Sequence, residues 1–345
     1  MKRVAIIGGS FDPIHLGHIE MGKLAKKELG VDEVWYIPTH QTPLKDRELT
    51  EDEHRKKMVE IAIQDEATFK LNPIELDRKK KSYTYHTLKK LLKDEPDTEF
   101  YVLIGSDQMA QFQDWKNADK LVSMAHFICV DRDGSFGRND YDLECMPMKQ
   151  IPVSSSMIRE GNGLNYVDPR VLEYIYANRL YIQDFVKSRV RHHRFLHSLS
   201  VAKLCEKFAQ GNGLDPQKAY LAGLFHDVCK SMLPDQMRPW VEAIAPQYVN
   251  ASTSIWHGFV GGEVIDRVFG IKDRQIKNAI RWHVLGLSDE PYAKIVYCAD
   301  KLDPLRGYDS SALIKACEKD IDHGFDLTKD QNDKYIQQKR KEGTK

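Results

Sequence analysis

Residues 4–18 read Val-Ala-Ile-Ile-Gly-Gly-Ser-Phe-Asp-Pro-Ile-His-Leu-Gly-His, and this stretch decides the fold of the first half of the chain. Four apolar residues predict a buried strand, two glycines predict a tight turn, and a helix is predicted from about His18. Such a turn directs backbone N–H groups and the positive end of the helix at an anion. His15 and His18 lie three residues apart, so both can face that anion. The stretch therefore predicts a phosphate site.

The alternation of strand and helix continues outward from this stretch. Strands are predicted over residues 3–7, 33–37, 99–104 and 127–130, and helices over 18–29, 51–65, 84–93 and a stretch ending near Ser123. Strands that alternate with helices form a mostly parallel sheet with helices on both faces. The first half is therefore predicted to be a Rossmann-like α/β domain.

The pattern changes after Ile182. Helical spacing covers residues 185–210, 216–230, 256–269, 274–283 and 292–302, without a convincing strand, so the second half is predicted to be all-α. The predicted domains are residues 1–184 and 185–328. They are followed by a polar tail, 329–345, whose composition predicts disorder.

The composition of the 345 residues, 41% hydrophobic and 30% charged, is that of an ordinary soluble globular protein. Lys+Arg and Asp+Glu both count 51, so bulk positive charge does not favour a nucleic-acid partner. No apolar run approaches the roughly 20 residues that span a bilayer. The six cysteines include no C-x-x-C pair. We therefore expect a cytoplasmic protein with free thiols and small-molecule partners, in which a homo-oligomer is possible.

The first half carries two motifs of a known superfamily. Residues 8–18 resemble the (G/T)-x-F-D-P-x-H-x-G-H motif of the nucleotidyltransferases, and residues 154–159, Ser-Ser-Ser-Met-Ile-Arg, resemble the second motif, I-S-S-T-x-I-R. Residues 37–45, 75–88 and 104–115 are similar to bacterial nicotinate mononucleotide adenylyltransferases. The resemblance covers residues 1 to about 183. It implies transfer of AMP from ATP to nicotinate mononucleotide, with Mg²⁺ on the triphosphate.

In-line displacement at phosphorus needs positioning and charge neutralisation more than covalent chemistry. The candidate catalytic donors are His15, His18, Lys45 and Arg159. The resemblance implies that substrate or ATP is bound by Gly8, Gly9, Ser10, Phe11, Thr84, Gly105, Asp107, Trp115, Ser154, Ser155, Ser156 and Ile158. The three serines also look like a helix N-cap, and Asp12 could simply hold the glycine turn.

The sequence departs from the family pattern at two positions. His86 stands where the family usually has Asp, and Leu44 stands where it has His. A missing helix-start Asp costs about 0.3–1 kcal/mol of local stability. A pantetheine-phosphate type of nucleotidyltransferase is the rival for this half, and Ser82-Tyr-Thr84 and Trp115 argue against it.

The helical half contains four histidines and two aspartates that are candidate metal ligands. His226 and Asp227 end an apolar helix, and Asp300 ends the apolar run 295–299. Buried polar groups there are costly unless they are paired or bind metal, so their combination with His197, His257 and His283 favours a metal site. Imidazole and carboxylate ligands suit iron, manganese or zinc better than magnesium alone.

This H…HD…H…H…D order resembles HD-domain phosphohydrolases, and in detail YqeK-like symmetrical diadenosine tetraphosphate hydrolases, over residues 188 to about 325. The resemblance implies one metal held by His197, His226, Asp227 and Asp300, with Asp227 bridging to a second held by His257 and His283. Such a pair would activate water for attack on phosphorus. Lys230 and Arg306 would grip the phosphates. Hydrolysis of another nucleotide and a metal-stabilised regulatory module are the alternatives.

Overall fold

The computed structural model describes residues 1–42, 48–131, 141 and 143–342. The chain splits into two compact units, Met1–Leu180 and Tyr181–Lys345, which we call the first and second unit. None of the helices in the described ranges is long and apolar enough to cross a bilayer.

A six-stranded sheet forms the centre of the first unit. Its strands are β1 (Lys2–Gly9), β2 (Glu33–Pro38), β3 (Phe69–Leu71), β4 (Thr98–Gly105), β5 (His126–Asp131) and β6 (Glu144–Pro147). They lie in the order β3-β2-β1-β4-β5-β6, and every neighbouring pair is parallel. The strand order reverses between β1 and β4, and open parallel sheets bind ligands at the carboxyl ends of the strands at such a point.

Eight helices accompany this sheet among the described residues. They are α1 (Leu16–Leu29), α2 (Asp52–Ile63), α3 (Ile74–Arg78), α4 (Thr84–Asp94), α5 (Ser106–Met109), α6 (Ala118–Leu121), α7 (Ser155–Arg159) and α8 (Pro169–Ala177). The residues of β1 from Val4 to Ile7 are buried, as expected for a strand covered on both faces. The prediction of a Rossmann-like parallel sheet is confirmed.

The second unit is helical. Its helices are α9 (Ile182–Arg189), α10 (His192–Gly211), α11 (Pro216–Phe225), α12 (Pro234–Ile244), α13 (Trp256–Phe269), α14 (Arg274–Trp282), α15 (Pro291–Leu302), α16 (Ser311–Lys319) and α17 (Ile321–Glu342). No strand occurs in residues 181–342, all of which the structure describes. The prediction of an all-α second half is confirmed.

Two predicted helices differ from the observed ones. The helix predicted over residues 185–210 breaks at Val190, which is extended and buried although no proline or glycine marks the break. The helix predicted over 216–230 ends at Phe225. Tight turns follow it, in which a backbone N–H donates to the carbonyl three residues earlier, as Lys230 does to Asp227. His226 keeps helical backbone angles, with φ −52° and ψ −41°, so it directly continues α11.

The prediction of a disordered tail is wrong for the part of the tail that the structure describes. Helix α17 continues to Glu342. Extending an existing helix costs far less than nucleating one. An Asp330–Lys334 ion pair, 2.6 Å between Oδ2 and Nζ, has the favourable i,i+4 spacing.

Candidate active sites

The predicted phosphate site lies where β1 passes into α1. His15 is the N-cap of α1 in an extended conformation, and its imidazole stacks on that of His18 with ring centroids 3.8 Å apart. The backbone N–H of His15 donates to Nδ1 of His18 over 3.3 Å. A neutral His18 ring therefore carries its proton on Nε2, which leaves that nitrogen as a donor. The turn thus presents the helix start and two imidazoles together.

The second motif packs directly onto the first. The Arg159 guanidinium, which is 9% exposed, donates to the backbone carbonyl of Asp12 over 2.7 Å and to Oγ of Ser156 over 3.0 Å. Ser155 Oγ donates to the carbonyl of Pro13 over 2.9 Å. Two stretches far apart in sequence therefore meet at one edge of the sheet.

Ser154 caps α7. Its Oγ accepts a 3.2 Å hydrogen bond from the N–H of Met157, and Ile158 is buried in the same short helix. Capping explains Ser154 without a ligand. Asp12 is fully buried, and its Oδ2 accepts from the N–H of Thr50 over 3.3 Å, so it does help to hold the turn.

A third group of predicted residues follows β4, the neighbour of β1. Gly105 ends the strand and Asp107 lies exposed in the first turn of α5. Trp115 is half-buried against Phe112, with ring centroids 5.3 Å apart. Within the described part of the chain the buried indole Nε1 has no hydrogen-bond partner. A buried N–H without a partner costs about 1–3 kcal/mol, so a bound acceptor would be stabilising there.

The unusual His86 contacts the residue that follows this tryptophan. Its Nε2 is 3.0 Å from Nζ of Lys116, the residue after Trp115. Burial and the neighbouring cations, Lys116 first among them, lower the pKa of His86. A neutral His86 accepts a hydrogen bond from Lys116. This bond links the first turn of α4, which contains Thr84 and His86, to the residue after Trp115. Leu44 and Lys45 lie outside the described residues.

Sequence reasoning missed Arg55, which is fully buried in α2. Its guanidinium donates to the carbonyls of Ser10, Thr39 and Thr50 over 2.6–2.8 Å. Arg55 therefore joins Ser10 in the glycine turn to Thr39 and to Thr50, which lie on either side of residues 40–49. In the sequence it stands among Asp52, Glu53, Lys56 and Lys57, so nothing there distinguishes it from a solvated charge.

The six predicted metal ligands of the second unit lie together. His197 is on α10, His226 and Asp227 follow α11, His257 is on α13, His283 follows α14, and Asp300 is on α15. Their ligand atoms include two overlapping sets, His197–His226–Asp300 and His226–Asp227–His283, each within 4.8 Å. Oδ1 of Asp227 is 3.0 Å from Nε2 of His257. Five helices therefore contribute to one cluster.

Hydrogen bonds at Nδ1 orient three of these imidazoles. Nδ1 of His226 donates to the carbonyl of Gly223, and Nδ1 of His283 donates to that of Ile280, both over 2.6 Å. Nδ1 of His197 instead lies 2.5 Å from Oδ2 of Asp303. Proteins fix metal-binding histidines in this way, because the second nitrogen then faces the ion with its lone pair.

His226 provides the test of whether a metal fits. It is fully buried, and burial lowers its pKa to about 4, so the ring is neutral. Its Nε2 has no hydrogen-bond partner among the described residues and lies 3.8 Å from oxygens of both Asp227 and Asp300. That distance is too long for a hydrogen bond but suits two ligands of one divalent ion. The cluster therefore fits a metal.

Cationic side chains surround the carboxylates of the cluster. Lys301 and Arg306 contact Asp300 over 2.7 and 2.5 Å, and Arg194 contacts Asp227 over 3.2 Å. The Nζ of Lys230 is 3.2 Å from Nε2 of His257. Four cations close to one cluster suit a polyanionic ligand.

The sequence reasoning also missed Asp303, which is fully buried at the end of α15. The signal that could have found it is its spacing, because Asp300 and Asp303 are three residues apart and so share one face of a helix. The second unit thus has a buried carboxylate beside His197, one of its predicted metal ligands.

Comparison with known proteins matches each half to a family. A cytidylyltransferase-like family matches residues 6–161, and the HD domain matches residues 194–305. The chain is 37% identical over 187 residues to a "Probable nicotinate-nucleotide adenylyltransferase" of Bacillus pumilus, covering 52% of this chain and 99% of the relative. It is 28% identical over 348 residues to a "Probable nicotinate-nucleotide adenylyltransferase/Ap4A hydrolase" of Mycoplasma genitalium, covering 97% and 98%.

Among solved structures, a nicotinic acid mononucleotide adenylyltransferase of Plasmodium falciparum complexed with NaAD matches with 27% identity and a TM-score of 0.45, covering 52% of this chain and 98% of that one. The fold and the two sites define a nucleotidyltransferase joined to an HD-domain enzyme. Through its first half, the chain belongs to the nicotinate-nucleotide adenylyltransferase family.

Proposed function

We propose that the first unit transfers the adenylyl group of ATP to nicotinate mononucleotide, giving deamido-NAD and pyrophosphate. The observation that carries this proposal is the junction of the two motifs, in which Arg159 bonds to the carbonyl of Asp12. That junction brings a cation to the turn that leads into α1, and a triphosphate bound there would find both N–H donors and positive charge. The names of the relatives from Bacillus pumilus and Mycoplasma genitalium support the substrate.

The residues would act by positioning and by charge. The α-phosphorus of ATP is attacked by a phosphate oxygen of the mononucleotide while pyrophosphate leaves. His18, Lys45 and Arg159 would stabilise the charge on the leaving group, and Mg²⁺ would accompany the triphosphate. Trp115 would stack on the pyridine ring, and its indole N–H, which has no partner in the described part of the chain, would bond to an acceptor of the substrate.

An acceptor panel tests the first activity. The intact protein, with ATP and Mg²⁺, is supplied separately with nicotinate mononucleotide, nicotinamide mononucleotide and pantetheine phosphate. We expect dinucleotide from the nicotinate compound at the highest kcat/KM, measured by nucleotide chromatography. Preference for pantetheine phosphate would assign the unit to the rival class, and absence of any dinucleotide would contradict the proposal.

We propose that the second unit hydrolyses diadenosine tetraphosphate symmetrically, with water, to two ADP. The observation that carries this proposal is the cluster of four histidines and two aspartates, in which Nε2 of His226 faces two carboxylates and has no hydrogen-bond partner within the described ranges. Two transition metals, iron, manganese or zinc, would supply positive charge and a water of lowered pKa when bound. The name of the relative from Mycoplasma genitalium supports the substrate.

The cations around the cluster would hold the polyphosphate. Lys230 and Arg306 are both near ligand carboxylates and both partly exposed, with side chains 30% and 40% accessible. Each can exchange its carboxylate contact for a phosphate oxygen. A chain of four phosphates carries enough charge to use several such cations, whereas a nucleoside monophosphate does not.

Product analysis tests the second activity. The metal content of the purified chain is measured, and the protein is then supplied with diadenosine tetraphosphate, ATP, GTP and dATP. We expect ADP alone from the tetraphosphate. AMP plus ATP would indicate asymmetric cleavage and contradict the proposal. Cleavage only of another nucleotide would reassign the substrate, and bound metal without any hydrolysis would indicate a regulatory module.

A further inference from the structure

Asp303 is not one of the six predicted metal ligands, yet it is fully buried beside one of them, His197. Its Oδ2 is 2.5 Å from Nδ1 of His197. Its Oδ1 accepts a 2.6 Å hydrogen bond from Ser200, one turn further along α10, and a 3.3 Å bond from the N–H of Leu305. These contacts occupy both oxygens, so the carboxylate has one orientation.

His197 differs in this respect from the other oriented histidines. His226 and His283 donate from Nδ1 to neutral backbone carbonyls. His197 alone among these three faces a charged carboxylate. A carboxylate partner makes the imidazole a stronger metal ligand than a carbonyl does, and it fixes the tautomer in which Nε2 faces the ion. Nε2 of His197 points at Oδ1 of Asp300, 3.1 Å away.

We propose that Asp303 is a positioning residue for one of two metal positions, the one that contains His197. The arrangement of the ligands supports the restriction to one position, because His197 lies in one set with His226 and Asp300, whereas Nε2 of His257 and of His283 lie 3.0 and 3.7 Å from Oδ1 of Asp227. Among the described residues, no hydrogen bond or ion pair joins Asp303 to Asp227, His257 or His283. The inference rests on the proposed metal-dependent hydrolysis. It adds that the two metal positions differ, because only one of them depends on the carboxylate of Asp303.

Substitution by asparagine removes the charge and keeps the size. If the Asn amide nitrogen faces His197, it donates to Nδ1, so the neutral ring carries its proton on Nε2 and cannot bind the ion there. If the amide is reversed, its oxygen still accepts from Nδ1, but without the negative charge that strengthens the ligand. Either orientation weakens the same metal position.

The test is a Mn²⁺ titration of the full chain after removal of metal with a chelator, read by equilibrium dialysis and elemental analysis. We expect two Mn²⁺ per wild-type chain. In Asp303→Asn we expect one position to weaken by about 10–100-fold, the loss usual for a partner of a metal-binding histidine, and the other to change less than threefold. Hydrolysis should recover as Mn²⁺ is raised, while adenylyl transfer stays at the wild-type rate.

Two further variants make the result decisive. Asp309→Asn is the matched control, because Asp309 is exposed and bonds only to Ser311 in the hydrogen bonds of this turn. It should bind two Mn²⁺ as the wild type does. Ser200→Ala keeps the Asp303 carboxylate but removes its support, so it should weaken the same position by a smaller factor. It serves in place of Asp303→Asn if that variant does not fold.

Unchanged binding at both positions in Asp303→Asn, or equal weakening of both in a folded chain, would overturn the inference while leaving the proposed function standing. A wild-type chain that binds no Mn²⁺ and hydrolyses no tetraphosphate would overturn both. A wild-type chain with one Mn²⁺ per molecule would overturn the asymmetry and leave a mononuclear site.

Discussion

The guanidinium of Arg159 donates a 2.7 Å hydrogen bond to the backbone carbonyl of Asp12, although 147 positions separate the two residues. Arg159 ends α7 and Asp12 lies in the turn after β1. This contact therefore joins the segment from β6 to α7 to the segment from β1 to α1. The same arginine therefore has two tasks. It holds the turn, and it is the predicted cation for the leaving pyrophosphate.

We expect His18→Ala and Arg159→Ala to lower the turnover of adenylyl transfer at least tenfold, about 1.4 kcal/mol, because charge rearranges beside both side chains as pyrophosphate leaves. The KM for nicotinate mononucleotide should change less. Arg159→Ala should also lower the melting temperature, because the carbonyl of Asp12 loses its donor. Steady-state kinetics and thermal melts measure both effects.

The control for these variants is Asp168→Ala, at a residue outside the predicted site. It removes the N-cap of α8, where Oδ1 of Asp168 accepts from the N–H of Arg170, and should cost about 1 kcal/mol of stability with less than a threefold change in turnover. Wild-type turnover in both His18→Ala and Arg159→Ala would remove these residues from the mechanism.

Trp115→Ala should raise the apparent KM for nicotinate mononucleotide at least fivefold and that for ATP less than twofold. The physical reason is lost stacking on the pyridine ring, worth about 1 kcal/mol or more. Trp115→Phe keeps an aromatic face and should lie between the two. Equal increases for both substrates, with a lowered melting temperature, would instead assign Trp115 to the packing against Phe112.

Asp227→Ala should abolish cleavage of diadenosine tetraphosphate and remove most bound transition metal, while adenylyl transfer with Mg²⁺ persists. Asp227 contacts His257 and lies near His226 and His283, so its loss leaves the ions without a shared anion. His18→Ala should do the converse. If circular dichroism shows an intact fold and both activities are nevertheless lost in Asp227→Ala, the two sites are coupled.

The stability of the first unit should depend on pH through Glu33. Burial by itself would raise the pKa of this carboxyl, but hydrogen bonds from Lys70, Lys2 and Trp35 outweigh burial and lower its pKa to about 2. A lowered pKa means that the carboxylate stabilises the fold fully above its ordinary value of 4.5, and that this stabilisation is lost as the pH falls towards 2.

Glu33→Gln should therefore be less stable than the wild type by about 1–2 kcal/mol at pH 6. The difference should shrink steadily below pH 4.5 and approach zero near pH 2. Urea unfolding followed by circular dichroism at pH 6, 4 and 3 measures it. A difference that stays constant over this range would mean that the glutamate acts by packing rather than by charge.

Much of the fold and of both sites could be predicted from the sequence because periodicity and spacing are local. β1, β2, β4 and β5 are strands of six to eight residues, and each contains an apolar run that stands out in the sequence. β3 and β6 have three and four residues and carry no period, so only their pairing with β2 and β5 defines them.

The residues that sequence reasoning missed owe their roles to tertiary contacts. Arg55 stands in a charged stretch, and its role appears only when the fold places the carbonyls of Ser10, Thr39 and Thr50 around it. Asp303 follows the ligand Asp300 closely, but its partner His197 lies 106 positions away. No local pattern identifies which of two neighbouring carboxylates faces an ion and which faces an imidazole.

The different anchors of the imidazoles have a consequence for mutational tolerance. The carbonyls that hold His226 and His283 belong to Gly223 and Ile280, three residues earlier in the chain, and no exchange of side chain at those positions removes a carbonyl oxygen. His197 depends on a side chain, so a single nucleotide change in the codon of Asp303 can delete its anchor. Accumulated mutations should therefore weaken the metal position of His197 before the other position. Chains that have lost only this position should still bind one metal ion.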